Sequence, residues 1–281
     1  MLNESDNAQE NQNFVKTLEF KFPENFFLYL NFSGSDKYIL NYNDFIFFEM
    51  NPSIFAISYS LCFNNDNIFS NDTINLILII NINSGNIDKI FFSFSRISCL
   101  CVVGEYEDLI IGGREDGVID IFDMKPINEK FYLNFENLNK NIIFYEDSND
   151  IKPQFYLKLP IFSTNNIHSS KVIKINTIKC ENNSYKFLSI DSIGTIIIWE
   201  LKDVKDIYKL DNFPIRKVKE ITLETMIHCD QKLKCYSFSI VQSSKEIIYI
   251  LPNVGLLKIS IDISDHHIIY SLIIMKKNLY R

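Results

Sequence analysis

The sequence predicts an all-β repeat protein, and three observations carry that prediction. Short apolar runs of roughly four to eight residues, rich in Ile, Val, Phe and Tyr, are bounded by Asn, Asp, Ser, Gly or Pro, the pattern of strands between turns. Few stretches carry the periodicity of an amphipathic helix. The order strand, strand, tight turn, strand returns several times, and a returning unit marks a repeat architecture.

Taken in order, residues 1–13 are polar and read as a disordered tail, with the repeat array over 14–281. The first copy is degenerate. Ile54 to Ser60 is expected as its first strand, its second is hard to find in the polar stretch that follows, Ile74 to Ile82 holds the third, and Lys89 to Phe94 the outer, fourth strand after Ser84-Gly85.

The clearest copy runs from Ile97 to Lys125. Its strands are Ile97 to Val103, Asp108 to Gly113 and Val118 to Asp123, with the turn Arg114-Glu115-Asp116-Gly117 before the last. A two-residue hairpin that matches strand twist needs positive φ, which Gly and Asp tolerate, so Asp116-Gly117 is a sound turn. The strand after it is largely apolar on both faces, as in a packed stack of sheets. Residues 126–168, polar and Asn-rich, read as a long insertion. The next copy has Lys171 to Ile178, Phe187 to Asp191, a turn through Gly194, and Thr195 to Glu200. A smaller insertion of mixed charge covers 202–220. The last copy has Lys234 to Val241, Glu246 to Leu251, a turn ending at Gly255, and Leu256 to Ile261. The third strands begin near 76, 118, 195 and 256. The first spacing matches the roughly 40–45 residues of a four-stranded propeller blade, and the later ones leave room for insertions.

The run from Gly112-Gly113 through Asp116-Gly117 to Phe122-Asp123 resembles the second hairpin of a WD repeat, with Phe122-Asp123 at the position of the Trp-Asp pair. Ser189 to Glu200 is similar, with Trp199-Glu200 at that pair. The resemblance implies a WD-repeat-like β-propeller, incomplete at about four to five blades, with Gly113, Asp116, Gly117, Phe122, Asp123, Gly194, Trp199 and Gly255 as its structural repeat positions. The Gly-His pair that precedes a first strand in such repeats is missing, and Ile193 stands where Asp116 stands one copy earlier. The Asp-His network of many WD blades is therefore not expected, and Trp199 alone keeps the strand-end donor.

The order of features also resembles the C-terminal propeller of dynein intermediate chains, closest to that of the intraflagellar-transport dynein. It runs from Pro52-Ser53-Ile54-Phe55-Ala56, through Ser84-Gly85, Arg96 to Cys101 and the Gly113 to Asp123 hairpin, to Leu188 to Glu200, Lys217 to Leu223 and Gly255-Leu256-Leu257, over roughly residues 50–262. In that family a seven-bladed propeller docks on the motor heavy chain and a long N-terminal arm binds light chains; here the tail is about a dozen residues. The resemblance implies a non-catalytic subunit whose partner is a dynein heavy chain, in the cytoplasm, on the cytoskeleton or in a cilium. A WD-repeat scaffold of another complex needs only the blade grammar. An enzyme on the same frame would need His168, His228 and several carboxylates to meet in a cleft. Too few blades to close a ring would leave open strand edges.

Composition narrows the classes. The net charge is -7, whereas nucleic-acid binding needs Lys and Arg to neutralise phosphates. No apolar run reaches the roughly 18 residues of a membrane helix; Ile74 to Ile82 is broken by Asn75 and Asn81. The N-terminus lacks the apolar core of a signal peptide. The six cysteines, Cys62, Cys99, Cys101, Cys180, Cys229 and Cys235, form no Cys-x-x-Cys pair and read as buried free thiols of a reducing compartment.

Candidate chemistry is thin. His228-Cys229 with Cys235 supplies three close ligand types where zinc wants four, and His266-His267 on a strand would point to opposite faces. Asp116, Asp120 and Asp123 suggest an acid cluster, but the repeat gives each a place in the turn or strand. No Gly-x-Ser-x-Gly, His-Glu-x-x-His or phosphate-loop pattern is present. Lys202, Lys205, Lys209, Arg216, Lys217 and Lys219 interleave with Glu200, Asp203, Asp206, Asp211 and Glu220, as in a solvated loop. No cofactor, metal, nucleic acid, membrane or small-molecule substrate is expected.

Overall fold

The computed structural model describes residues 37–64, 73–103, 108–124, 157–165, 167–179, 184–202, 215–223, 234–241, 246–252, 256–261 and 268–273. The tail at 1–13, Gly255, His228, Cys229 and His266-His267 lie outside them. Among the described residues no helix is long and apolar enough to cross a membrane.

The first sheet holds β1 (Lys37–Phe47), β2 (Ile54–Asn64), β3 (Thr73–Asn81) and β4 (Asn86–Ser93), an antiparallel meander. The second holds β5 (Ile97–Val103), β6 (Leu109–Arg114) and β7 (Ile119–Asp123). Two short strands follow. β8 (Leu157–Lys158) lies parallel to β4 as a fifth strand of the first sheet, and β9 (Phe162–Ser163) completes the second beside β7. The third sheet is β10 (Val172–Lys179), β11 (Ser184–Asp191), β12 (Thr195–Lys202) and β13 (Ile215–Thr222). The fourth is β14 (Cys235–Val241), β15 (Glu246–Pro252), β16 (Leu256–Ile261) and β17 (Ile268–Ile273). Among the described residues the architecture is all-β: four sheets that stand as blades of an incomplete propeller. The hairpins expected at 108–123 and 187–200 are both present.

The blades stack in chain order with their first strands side by side: β1 packs on β5, β5 on β10, and β10 on β14. Strand alternation sends successive side chains to opposite faces, so each interior blade contributes to two apolar layers. Between blades one and two lie Ala56, Ile77, Ile79 and Phe91 against Ile97, Leu100, Ile110 and Phe122. Cys99, Cys101, Ile111, Ile119 and Ile121 meet Val172, Ile175, Phe187, Ile197 and Trp199 in the next layer. Ile178, Leu188, Ile190, Ile196 and Ile198 meet Cys235, Phe238, Ile250 and Ile259 in the last. Each buried Ile or Leu stabilises by about 1.5–3 kcal/mol, and the double-faced burial explains runs such as Ile196-Ile197-Ile198 that do not alternate with polar residues.

Three sequence expectations are corrected. Ile54 to Ser60 is the second strand of its blade, not the first; the first is β1, and β2 pairs directly with β3. Asn41, Asn43 and Asp44 give β1 the look of a turn. They are accommodated because the register shifts between Tyr42 and Asp44, a local irregularity that leaves the edge strand room for polar residues. The insertion at 126–168 is also too long as read, because its end supplies β8, β9 and His168. Likewise the charged stretch at 202–220 ends in β13, whose Ile215, Val218 and Ile221 alternate with Arg216, Lys217, Lys219 and Glu220 on the outer edge of the third blade.

Candidate functional site

The polar side chains cluster where blades meet, and the fullest cluster is in the third blade. Ser189 lies on β11, Asp191 ends it, Trp199 lies on β12, and His168 precedes β10; all four are buried. Trp199 Nε1 donates to Ser189 Oγ at 2.8 Å. His168 Nε2 lies 2.7 Å from the same oxygen, and its Nδ1 lies 3.4 Å from Asp191 Oδ2. An indole nitrogen can only donate, so Ser189 accepts from Trp199; with the Ser189 O–H donating to His168 Nε2, the imidazole N–H stands on Nδ1, facing Asp191. Asp191 Oδ1 also accepts the backbone N–H groups of Ile193 (3.2 Å) and Thr195 (2.7 Å), closing the turn in which Gly194 sits at φ 93°. Trp199 stacks on Phe187 with 5.8 Å between ring centres.

An Asp-His network is therefore present, against the sequence expectation. Its acid is Asp191 at the end of the second strand rather than a residue at the turn. Its histidine is followed by Ser169-Ser170 and preceded by no glycine, so neither half shows the expected pair.

Pairing aligns the second blade with the third: Arg114 falls where Asp191 falls, Gly112 where Ser189 falls, and Phe122 where Trp199 falls. The network there is a different one. Arg114 pairs with both Asp116 and Asp120. Asp120, fully buried, accepts from Ser163 Oγ at 2.6 Å and lies 2.9 Å from Ser93 Oγ of the first blade. Burial raises the Asp120 carboxyl above the usual range, and Ser163, Arg114 and Ser93 offset only part of that. Asp116, Asp120 and Asp123 thus do not converge as a catalytic acid set. Asp116 is at the exposed turn, Asp120 is inside, and Asp123, at the far end of β7, favours the charged form of the nearby half-buried Lys89. Phe122 packs on Phe91 of the first blade at 5.2 Å.

The glycines have steric reasons. Gly117 has φ 86°, and a Cβ there would stand 2.2 Å from the His168 carbonyl oxygen. A Cβ on Gly113 would stand 2.6 Å from both Cys99 Sγ and Val172 Cγ1, inside the seam between blades. In that seam burial pushes the Cys99 thiol up and the Cys101 thiol up to about 12, so neither is poised as a nucleophile. Among the described residues no three His, Cys, Asp or Glu group as a metal would need.

The first blade carries an exposed aromatic strip that sequence reasoning missed. Asp44 and Ile46 of its inner strand, with Phe48 just after it, turn toward the second blade, where Asp44 Oδ2 accepts the Leu100 N–H at 2.7 Å. On the other side Tyr42, Phe45 and Phe47 remain 50%, 48% and 52% exposed, with Met50 at 69%. Their rings touch in sequence, Tyr42 to Phe45, Phe45 to Phe47, Phe47 to Phe55. The spacing Phe45-x-Phe47 was the available signal, hidden by the neighbouring Asn and Asp residues. Aromatic and Met side chains are the types enriched at protein interfaces.

Of the basic cluster, Arg216 pairs with Glu200 and Lys217 with Glu220, so these charges are met within the sheet.

No family model and no curated protein sequence matches the chain. Solved structures are similar in fold at low identity. The WD40 domain of Toxoplasma gondii coronin is 12% identical, with a TM-score of 0.43 over 77% of this chain and 42% of that one. Sqt1 of Chaetomium thermophilum is 12% identical, with a TM-score of 0.46 over 79% of this chain and 44% of its own. The same protein bound to the N-terminus of the ribosomal protein L10 is 13% identical, with a TM-score of 0.46 over 79% and 47%. The chain spans less than half the length of these structures.

Proposed function

We propose that the protein is a non-catalytic protein-interaction subunit. One observation carries this reading: the side chains able to do chemistry are buried and tied up inside the blades, His168 with Ser189 and Asp191, Asp120 with Arg114, Ser93 and Ser163, while the exposed surface of the first blade offers an aromatic strip. His168 meets a carboxylate, but both side chains are fully buried inside a blade.

The finer reading is a dynein-intermediate-chain-like subunit that docks on a dynein heavy chain for microtubule-based transport, working in the cytoplasm, on the cytoskeleton or in a cilium. It is supported by the order of blade features from Pro52 to Leu257. A WD-repeat scaffold of another complex is the second reading, favoured by the same blades without the motor. Affinity purification of the tagged chain tests the two. Recovery of a dynein heavy chain, lost in a Phe45→Glu/Phe47→Glu variant, supports the first. Recovery of a non-motor complex through the same strip supports the second. A turnover lost on substituting a surface carboxylate would contradict both.

A further inference from the structure

One residue position repeats with its charge along the stack of blades. Arg96, Lys171 and Lys234 each stand immediately before the first strand of a blade, ahead of β5, β10 and β14, and all three are exposed. The Arg96 carbonyl accepts Glu115 N–H at 2.9 Å, and the Lys171 carbonyl accepts Ser192 N–H at 2.9 Å, so each is pinned to the hairpin turn of its own blade. The Ser192 carbonyl then accepts Cys235 N–H at 2.9 Å, which sets the start of the fourth blade, with Lys234, beside the same turn. First strands pack side by side, so the three cations form an arc along one end of the stack.

Glu115 shows the chemistry this arc recognises. Its Oε1 lies 2.8 Å from Lys171 Nζ and 3.7 Å from Arg96 Nε, one carboxylate oxygen between cations of neighbouring blades. Arg96 Nε also donates to Asn43 Oδ1 at 2.6 Å, which carries the row onto the first blade. One blade further on, Ser192 stands in the place of Glu115. It makes the same backbone bond but brings no charge, and its hydroxyl meets that of Ser170. Two hydroxyls bonded to one another keep one O–H for a further acceptor. Asp116 and Asp191, on the same two turns, are committed elsewhere, Asp116 to Arg114 and buried Asp191 to His168 and its own backbone. Exposed ion pairs contribute little, so the contacts with Glu115 leave Arg96 and Lys171 able to take a second carboxylate.

We infer that the arc of Arg96, Lys171 and Lys234 docks a short acidic peptide segment of a partner protein. One of its carboxylates sits between Lys171 and Lys234 over Ser192, as Glu115 sits between Arg96 and Lys171. Carboxylate is what the arc already binds, and cation clusters that read acidic motifs are a recurrent mode of peptide recognition. A short segment fits better than a long polyanion. The net charge of -7 opposes a nucleic acid along its length, whereas screening confines the pull of the arc to about 8–10 Å. The arc uses none of the residues of the aromatic strip, so the inference goes beyond the proposed function and is independent of which complex the subunit joins.

The test is the fluorescence anisotropy of fluorescein-labelled hexaglutamate titrated with the full chain at low ionic strength. The unaltered chain should bind it, and Lys171→Gln/Lys234→Gln should weaken binding roughly tenfold or more. Ser192→Glu should weaken it by a similar factor, because it supplies in the third blade the carboxylate that Glu115 supplies in the second. Arg216→Gln/Lys217→Gln, the same change of net charge on the outer edge of the third blade, should leave the affinity within about twofold. No binding by the unaltered chain, equal losses in the two double variants, no effect of Ser192→Glu, or tighter binding of an oligothymidylate of equal charge would each overturn the inference. The substituted lysines are exposed, so their double variant keeps the test in force if Ser192→Glu folds poorly.

Discussion

The second and third blades hold the same backbone positions with different chemistry. In the third, Trp199, Ser189, His168 and Asp191 form a chain of hydrogen bonds that ends on the backbone of its own turn. In the second, Gly112 and Phe122 remove the first two members and Arg114 replaces the acid. Arg114 then reaches Asp116 and Asp120, and the network turns outward to Ser93 of the first blade and Ser163 of β9. The comparison teaches that the repeat preserves a place for a buried polar tie rather than a set of residues. One tie rigidifies a single blade and the other joins three pieces of chain.

The comparison can be broken at several points. Trp199→Ala should cost the most, about 3–5 kcal/mol, because it leaves a cavity beside Phe187 and a broken hydrogen-bond chain; urea unfolding measures it, and a loss below 1 kcal/mol would show the ring is not packed in the seam. Gly117→Val should follow, with about 1–3 kcal/mol from the positive φ alone and more from the collision with the His168 carbonyl. The same substitution at an unconstrained turn would be nearly silent. Arg114→Met should cost about 1–3 kcal/mol by leaving Asp120 without its cation, and should loosen β9, which Asp120 holds through Ser163; no substitution of Asp191 should do that.

The smallest effect is one of pH. Burial raises the Asp120 carboxyl in the folded chain above its ordinary value of 3.8. The folded state therefore holds that proton more tightly than the unfolded state does. The stability this contributes is fully present below the unfolded value and is lost as pH rises through the raised, folded value. Relative to Asp120→Asn, the unaltered protein should gain stability between neutral pH and about pH 4. A relative loss over that range would contradict the buried site. Asp44, raised by burial against the opposing Leu100 and Phe45 backbone hydrogen bonds, should behave in the same direction.

Much of the blade structure was legible in the sequence because its strands are buried on two faces. Ile97 to Val103, Thr195 to Glu200 and Leu256 to Ile261 are largely apolar runs between turn residues, and the strands lie there. β1 was not legible, since Asn41, Asn43 and Asp44 sit in a strand whose register irregularity and contacts with β5 accommodate them. Nor was β9, two residues whose place is set by pairing with Asp120 and Ile121 more than forty positions back along the chain. His168 escaped for a similar reason. Its partners Ser189 and Asp191 stand 21 and 23 residues away, and only the folded blade brings them into reach. The aromatic strip has the same origin: which face of β1 is covered depends on the neighbouring blade.

The polar tie of the third blade is most directly tested by a double-mutant cycle of Ser189→Ala and Trp199→Phe, followed by urea unfolding. The chain of hydrogen bonds through Ser189 predicts a coupling of about 1–2 kcal/mol, since the cycle subtracts the packing lost with the smaller phenyl ring and leaves the donor–acceptor interaction. Additive losses, with coupling below about 0.3 kcal/mol, would contradict the tie and with it the equivalence of the two blades.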